Sequence, residues 1–145
     1  MVVRETLRFI NNNFQMQGWN GSTFQRWKSN KKGTRILFKS GDLSRGFNYE
    51  LRGNGDVLFK NEMPYAWVHN NGFNGKVTVP AHKRSKYLRV RKSLTKIGKI
   101  DVKEFTRIMK IDQRQFAPTE SSPSPILEAD ITKWLKKDIE QLFNH

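Results

Sequence analysis

His69 and His82 are the two internal imidazoles of this 145-residue chain, and acid–base or metal chemistry would have to be built on one of them. Neither has a second ligand-type side chain at the spacing of a helix face or a hairpin pair. A lone imidazole cannot do the work of a paired one. His69 is therefore expected to be structural, set on a short aromatic helix and hydrogen-bonded to loop backbone, with Tyr65 and Trp67 in the core. Asp42, Asp56 and Glu62 stand singly beside turns, where carboxylates cap backbone amides. The chain has no Gly-rich phosphate loop, no His-x-x-x-His pair and no Gly-x-Ser-x-Gly elbow. It has no cysteine either, so disulfides, thiolate nucleophiles and Cys-based zinc sites are excluded together. The expectation is a protein without catalytic residues, metal ligands or cofactor.

Charge points elsewhere. Lys and Arg number 27 against 13 Asp and Glu, a formal net charge of +14, which favours polyanions or acidic protein surfaces. From Ala81 to Gln115 twelve basic residues face three acids, so this window carries +9 and the rest of the chain only +5. Its densest part, Lys83-Arg84-Ser85-Lys86-Tyr87-Leu88-Arg89-Val90-Arg91-Lys92, interleaves cations with one aromatic. Cations bind phosphates by releasing counterions, and an aromatic can stack on an unpaired base. One aromatic in the stretch gives stacking little support. Lys83, Arg84, Lys86, Arg89, Arg91 and Lys92 are thus candidate contacts to DNA backbone or to a partner protein, against the plainer reading of a solvated arm.

The elements around these residues follow from spacing. Val3, Leu7, Ile10 and Phe14 make one apolar helical stripe over residues 3–14, with Asn11-Asn12-Asn13 weakening its end. Residues 17–33 read as an ordered loop pinned by Trp19, Phe24 and Trp27, with Lys28 to Gly33 as its exposed tip. Ser40 to Leu43 predicts a turn or short helical start. Phe47, Tyr49 and Leu51 alternate with polar residues as a half-buried strand does, and Asn54-Gly55 predicts a tight hairpin to Val57-Leu58-Phe59. Pro64 and Gly72 bracket a short helix. Lys76 to Pro80 has strand character; the basic window follows neither period and predicts a long β-arm or loop, with Phe105 to Ile111 returning. Pro118 to Pro125 is a loop. Ser124 and Pro125 then cap and start a final helix of about 28 Å whose stripe is Leu127, Ile131, Trp134, Leu135, Ile139 and Leu142. Length and a 36% apolar content suit a single domain over 1–145 with a lean core. The class is α+β: an antiparallel sheet packed against an N-terminal helix and a long C-terminal helix, with 81–115 as an extended basic arm or loop. No apolar run is long enough to span a bilayer, and Met1 to Glu5 turns polar too early for a secretory signal.

Taken in order, these landmarks resemble the phage virion morphogenesis family, the tail-completion and neck proteins of Mu-like and P2-like phages. Phe14 to Trp19 resembles its N-terminal aromatic, Gly and Trp. Ile36 to Leu43 is similar to its stretch of two leucines followed by Ser/Thr-Gly-x-Leu. Tyr65-Ala66-x-x-His69-x-x-Gly72 resembles its most specific motif, and Arg114-x-Phe116 its Arg-x-Phe before a loop and a C-terminal helix. The chain departs from the family in one place: the interval between these last two motifs is enlarged, and the added residues are largely the basic window.

The resemblance implies a structural virion protein that joins head connector and tail by forming a ring of copies of itself. Its implied partners are the tail tube or tail terminator and the head–tail adaptor or portal; the basic window, whose role the resemblance leaves open, adds a candidate non-specific contact with genomic DNA, and no membrane is expected. Its implied place is the virion, assembled in the bacterial cytoplasm, and Tyr65, Ala66, His69, Gly72, Arg114 and Phe116 become fold determinants. The alternative is a small basic nucleic-acid-binding protein that touches DNA backbone without sequence preference.

Overall fold

A computed structural model describes residues 1–90 and 92–143. The protein is α+β, with an N-terminal helix, antiparallel strands and a long C-terminal helix. In place of one sheet there are four two-stranded antiparallel ladders. The chain divides into two compact units, a body of residues 1–72 and 112–145 and a ribbon of residues 73–111. The ribbon therefore begins at Phe73, eight residues before the basic window read from charge.

In the body, helix α1 (Val2–Met16) buries Phe9, Ile10, Asn13 and Phe14 on one face. It runs past the expected end because Asn13 is not frayed but clamped. Its Nδ2 donates to the Phe116 carbonyl at 3.0 Å, and its Oδ1 accepts from the Asn20 side chain at 2.8 Å. Those bonds remove the competition with its own backbone that makes Asn a poor helix residue. Gln17 ends the helix in a left-handed conformation, and its side-chain amide both donates to and accepts from the Ile36 peptide.

The segment read as a loop folds into a small hairpin, β1 (Gly18–Asn20) with β2 (Phe24–Arg26). Trp19 and Trp27 are buried as expected, whereas Phe24 is exposed and pins nothing into the core. A short helix α2 (Asp42–Arg45) buries Leu43. Strands β3 (Phe47–Leu51) and β4 (Val57–Asn61) form the predicted hairpin, and Gly55 takes the positive φ that its turn requires.

The core is aromatic. Phe14 stacks on Phe116 at 4.9 Å and meets Trp27 edge-on at 5.6 Å; Phe47 closes on Phe116 at 5.9 Å and Phe9 on Trp19 at 5.6 Å. Offset and edge-to-face pairs of this kind add about 0.5–1.5 kcal/mol each beyond burial.

Helix α4 (Pro125–Phe143) starts as Ser124 and Pro125 predict: the Ser124 hydroxyl accepts from the Leu127 N–H at 3.2 Å. The same hydroxyl donates to the Asn20 carbonyl at 2.7 Å, so the cap also ties α4 to the first hairpin. Only the first turns of its apolar stripe find cover. Leu127 is buried and Ile131 and Trp134 are half-buried, while Leu135, Ile139 and Leu142 are exposed. Among the described residues no helix is long and apolar enough to cross a membrane.

The ribbon is built from two ladders. Strand β5 (Phe73–Val79) pairs with β8 (Phe105–Ile111), and β6 (His82–Val90) with β7 (Ser93–Val102). Cross-strand partners share a face, so Phe73, Val77, Val79, Phe105, Met109 and Ile111 lie on one side of the first ladder. Asn74, Lys76, Thr78, Thr106, Ile108 and Lys110 lie on the other. In the second ladder a bulge at Lys86/Tyr87 leaves Ile97 without a cross-strand partner, next to Gly98.

Candidate functional site

Helix α3 (Ala66–Asn71) spans fewer than two turns, so only positions four apart can face the core. Those positions are Ala66 and Asn70, both buried. Trp67 stands one residue off that face and is 65% exposed; Tyr65 is 42% exposed. Their expected place in the core is corrected: a helix this short has room for one inward row, and Ala66 and Asn70 occupy it.

The motif residues separated by more than forty positions meet on the segment that leads to α4. The Arg114 N–H donates to the His69 carbonyl at 2.8 Å. Asn70 Oδ1 accepts from both the Phe116 and Ala117 N–H groups, at 2.9 and 3.0 Å, and its Nδ2 donates to the Ala117 carbonyl at 3.2 Å. Gly72 has φ 75°, and a Cβ there would stand 3.2 Å from Gln113. Both facts exclude a larger residue at modest cost. Trp27 adds a bond from its indole N–H to the Gln115 carbonyl at 2.8 Å. Gln115 itself is buried, donating to the carbonyls of Ala117 and Ser122. Residues 113–117 are thus held by side chains, each buried amide used as a backbone clamp.

His69 meets this segment through its peptide and not through its imidazole, which corrects the expected side-chain bond. The ring packs edge-on to Tyr65 at 6.0 Å, and its Nδ1 has no hydrogen-bond partner among the described residues. Arg114 Nε is in the same position. Burial, followed by the nearby Arg114 cation, holds the His69 pKa below its ordinary 6.5. The imidazole is therefore neutral at physiological pH. Among the described residues no three of His, Asp and Glu gather closely enough to hold a metal ion.

Sequence spacing did not reveal a groove of about 1020 Å³ between α1 and α4, lined by Arg4, Arg8, Phe9, Ile126, Trp134 and Lys137 among others. The Glu5 carboxylate in it is nearly buried and meets Arg4 at 3.4 Å and Arg8 at 3.6 Å. Its lining carries charges of both signs, the cations Arg4, Arg8, Lys133 and Lys137 with the acids Glu5 and Asp130.

The ribbon holds the other candidate residues. Twelve Lys and Arg stand against two acids between Phe73 and Ile111, so this unit carries +10 of the chain's +14. Lys83, Arg84, Lys86 and Arg89 are exposed on β6, and Lys92 is exposed in the turn after it; Arg91 lies outside the described residues. Successive side chains alternate, which splits the set between faces. Arg84 and Lys86 share one face with Leu88, Val90, Ile100 and Val102, while Lys83 and Arg89 share the other with Tyr87, Leu94, Lys96 and Lys99.

None of the described register pairs sets two cations directly opposite each other: Lys83 faces Asp101, Arg84 faces Ile100, Tyr87 faces Lys96 and Arg89 faces Leu94. Directly opposed like charges would destabilise the ladder. The arrangement lets the ribbon form while remaining strongly cationic.

The chain matches no family model, no characterised protein and no solved structure.

Proposed function

We propose that this protein is an assembly subunit of a tailed-bacteriophage particle, a neck or tail-completion component that links head connector and tail as a ring of its own copies. One observation carries the proposal: apolar side chains lie uncovered on a unit that cannot bury them itself. A two-stranded ladder has no third strand beside it, and such hairpins are marginal alone in water. Here Tyr87, Leu88, Val90, Leu94 and Ile97 are each at least half exposed, and Ile108 is 75% exposed. Both edges of each ladder also lack a further strand among the described residues, leaving backbone groups open to pairing.

The motif residues Tyr65 to Gly72 and Arg114 to Phe116 converge on one backbone clamp, as fold determinants of the resembling family would. The partners in this reading are further copies, the tail tube or tail terminator, and the adaptor or portal above.

Light scattering and electron microscopy of the purified chain test the proposal. Species well above the 17.0 kDa monomer, with ring outlines, are expected. Deleting the gene from a phage genome that encodes it is expected to leave filled heads and finished tails unjoined. A chain that stays monomeric at every concentration, with particles that assemble without it, overturns the reading.

The cationic ribbon favours a second reading, contact with DNA backbone. That reading predicts affinity falling steeply with salt and indifferent to sequence.

A further inference from the structure

The ribbon and helix α4 carry complementary surfaces, and we infer that the ribbon of one copy covers the exposed ridge of α4 on the next. The inference rests on the self-assembly reading above and names the two surfaces that meet. The first argument is charge. Residues 1–72 carry +6 and residues 73–111 carry +10, while residues 112–145 carry −2. Within α4 the acids are placed where a cationic partner would use them. At 100° per residue, Glu128 and Asp138 fall within about 60° of Leu135, whereas Lys133, Lys136 and Lys137 lie about 100° or more away. The ridge of Leu135, Ile139 and Leu142 thus has Glu128 in line with it and Asp138 along one flank, while Lys136 lies about 60° from Ile139 on the other.

The second argument is shape. The nine residues of β6 extend about 30 Å and the nineteen of α4 about 28 Å. The order of groups along them agrees. On one ribbon face two cations, Arg84 and Lys86, precede two apolar residues, Leu88 and Val90. Along α4 the acid Glu128 precedes the apolar ridge. Arg84 to Val90 and Glu128 to Leu142 each span about 20 Å.

The third is exposure. Leu88 is 51% and Ile139 52% exposed, and Leu142 is 77% exposed, so each surface presents uncovered apolar area. Two different patches that meet between copies make a head-to-tail contact, the kind that closes rings.

The absence of cysteine makes the test direct, because any introduced thiol is unique. Leu88→Cys and Ile139→Cys chains are prepared separately, then mixed and treated with a short bis-maleimide. Covalent dimers are expected in the mixture and not in either sample alone. A second pair of variants reads the charges. Arg84→Glu with Lys86→Glu is expected to raise the concentration needed for self-association about tenfold or more. Mixing it with Glu128→Lys chains is expected to restore association. That rescue separates a lost contact from a misfolded ribbon.

Oligomers that form without the Leu88–Ile139 product overturn this interface and leave the ring reading intact. A strictly monomeric wild-type chain removes both. If the Arg84/Lys86 variant keeps its oligomer mass but loses salt-sensitive binding to duplex DNA, the ribbon's occupant is nucleic acid and the inference fails.

Discussion

The body and the ribbon solve the same problem in opposite ways. In the body, Phe14 and Ile10 are about 1% exposed and Asn13 is fully buried with its amide satisfied at both ends. In the ribbon, the larger apolar side chains of β6 and β7 lie at or above one-third exposure, and the polar groups among them are mostly cations. Folding must offset roughly 1–2 kcal/mol of backbone entropy per ordered residue, and burial is the main source of that offset. The body has the burial and the ribbon does not. On the assembly reading proposed above, the ribbon's missing burial would come from another molecule.

Breaking the comparison starts in the aromatic core. Phe14→Ala removes the ring that touches both Phe116 and Trp27, and is expected to lower unfolding free energy by about 3–5 kcal/mol. Denaturant melts of the isolated chain check this. Tyr87→Ala or Ile108→Ala on the ribbon is expected to change the same melts by under about 0.5 kcal/mol while weakening association. A large loss from a ribbon substitution in the monomer would erase the distinction.

Asn70→Ala comes next. It leaves the N–H groups of Phe116 and Ala117 without their acceptor, and about 1–3 kcal/mol is expected to be lost for each buried group left unpaired. Restoration by Asn70→Asp, which keeps the acceptor, should be partial.

Smaller still, Ser124→Ala is expected to cost about 1 kcal/mol as a lost helix cap. A larger loss would show that its bond to the Asn20 carbonyl matters more than the cap.

The finest test uses pH. His69 binds its proton more weakly in the folded body than in the unfolded chain, so its contribution is fully present above pH 6.5 and declines as pH falls through the folded value. Melting temperature below pH 6.5 is expected to drop more slowly in His69→Gln than in the wild type. Equal slopes would remove His69 from the body's acid sensitivity.

Particular residues show how far spacing carries. The stripe from Val3 to Phe14, the Asn54-Gly55 turn and the Ser124-Pro125 start are local matters, and each element stands where its residues predict. The Asn11–Asn13 run misleads, because the partner that holds Asn13 in the helix is Phe116, 103 residues away. Trp67 misleads for a related reason: apolarity argues for burial, but which side of a six-residue helix faces inward is settled by what packs on Ala66 and Asn70. The basic window is legible as charge and not as structure. In β6 and β7 neither a period of two nor one of 3.6 survives, since their side chains are exposed on both sides and no burial sorts them.

Composition and order alone determined the α+β class, the concentration of positive charge, the lack of cysteine chemistry and the positions of caps and turns. These depend on backbone preferences and on neighbours a few residues apart. Tertiary structure decided that Asn13, Asn70 and Gln115 are buried clamps, that half of α4's stripe goes uncovered, and that residues 73–111 form a unit of their own. Those outcomes depend on which distant groups meet, and a hydrogen bond or a covered face has no local signature until its partner is in place.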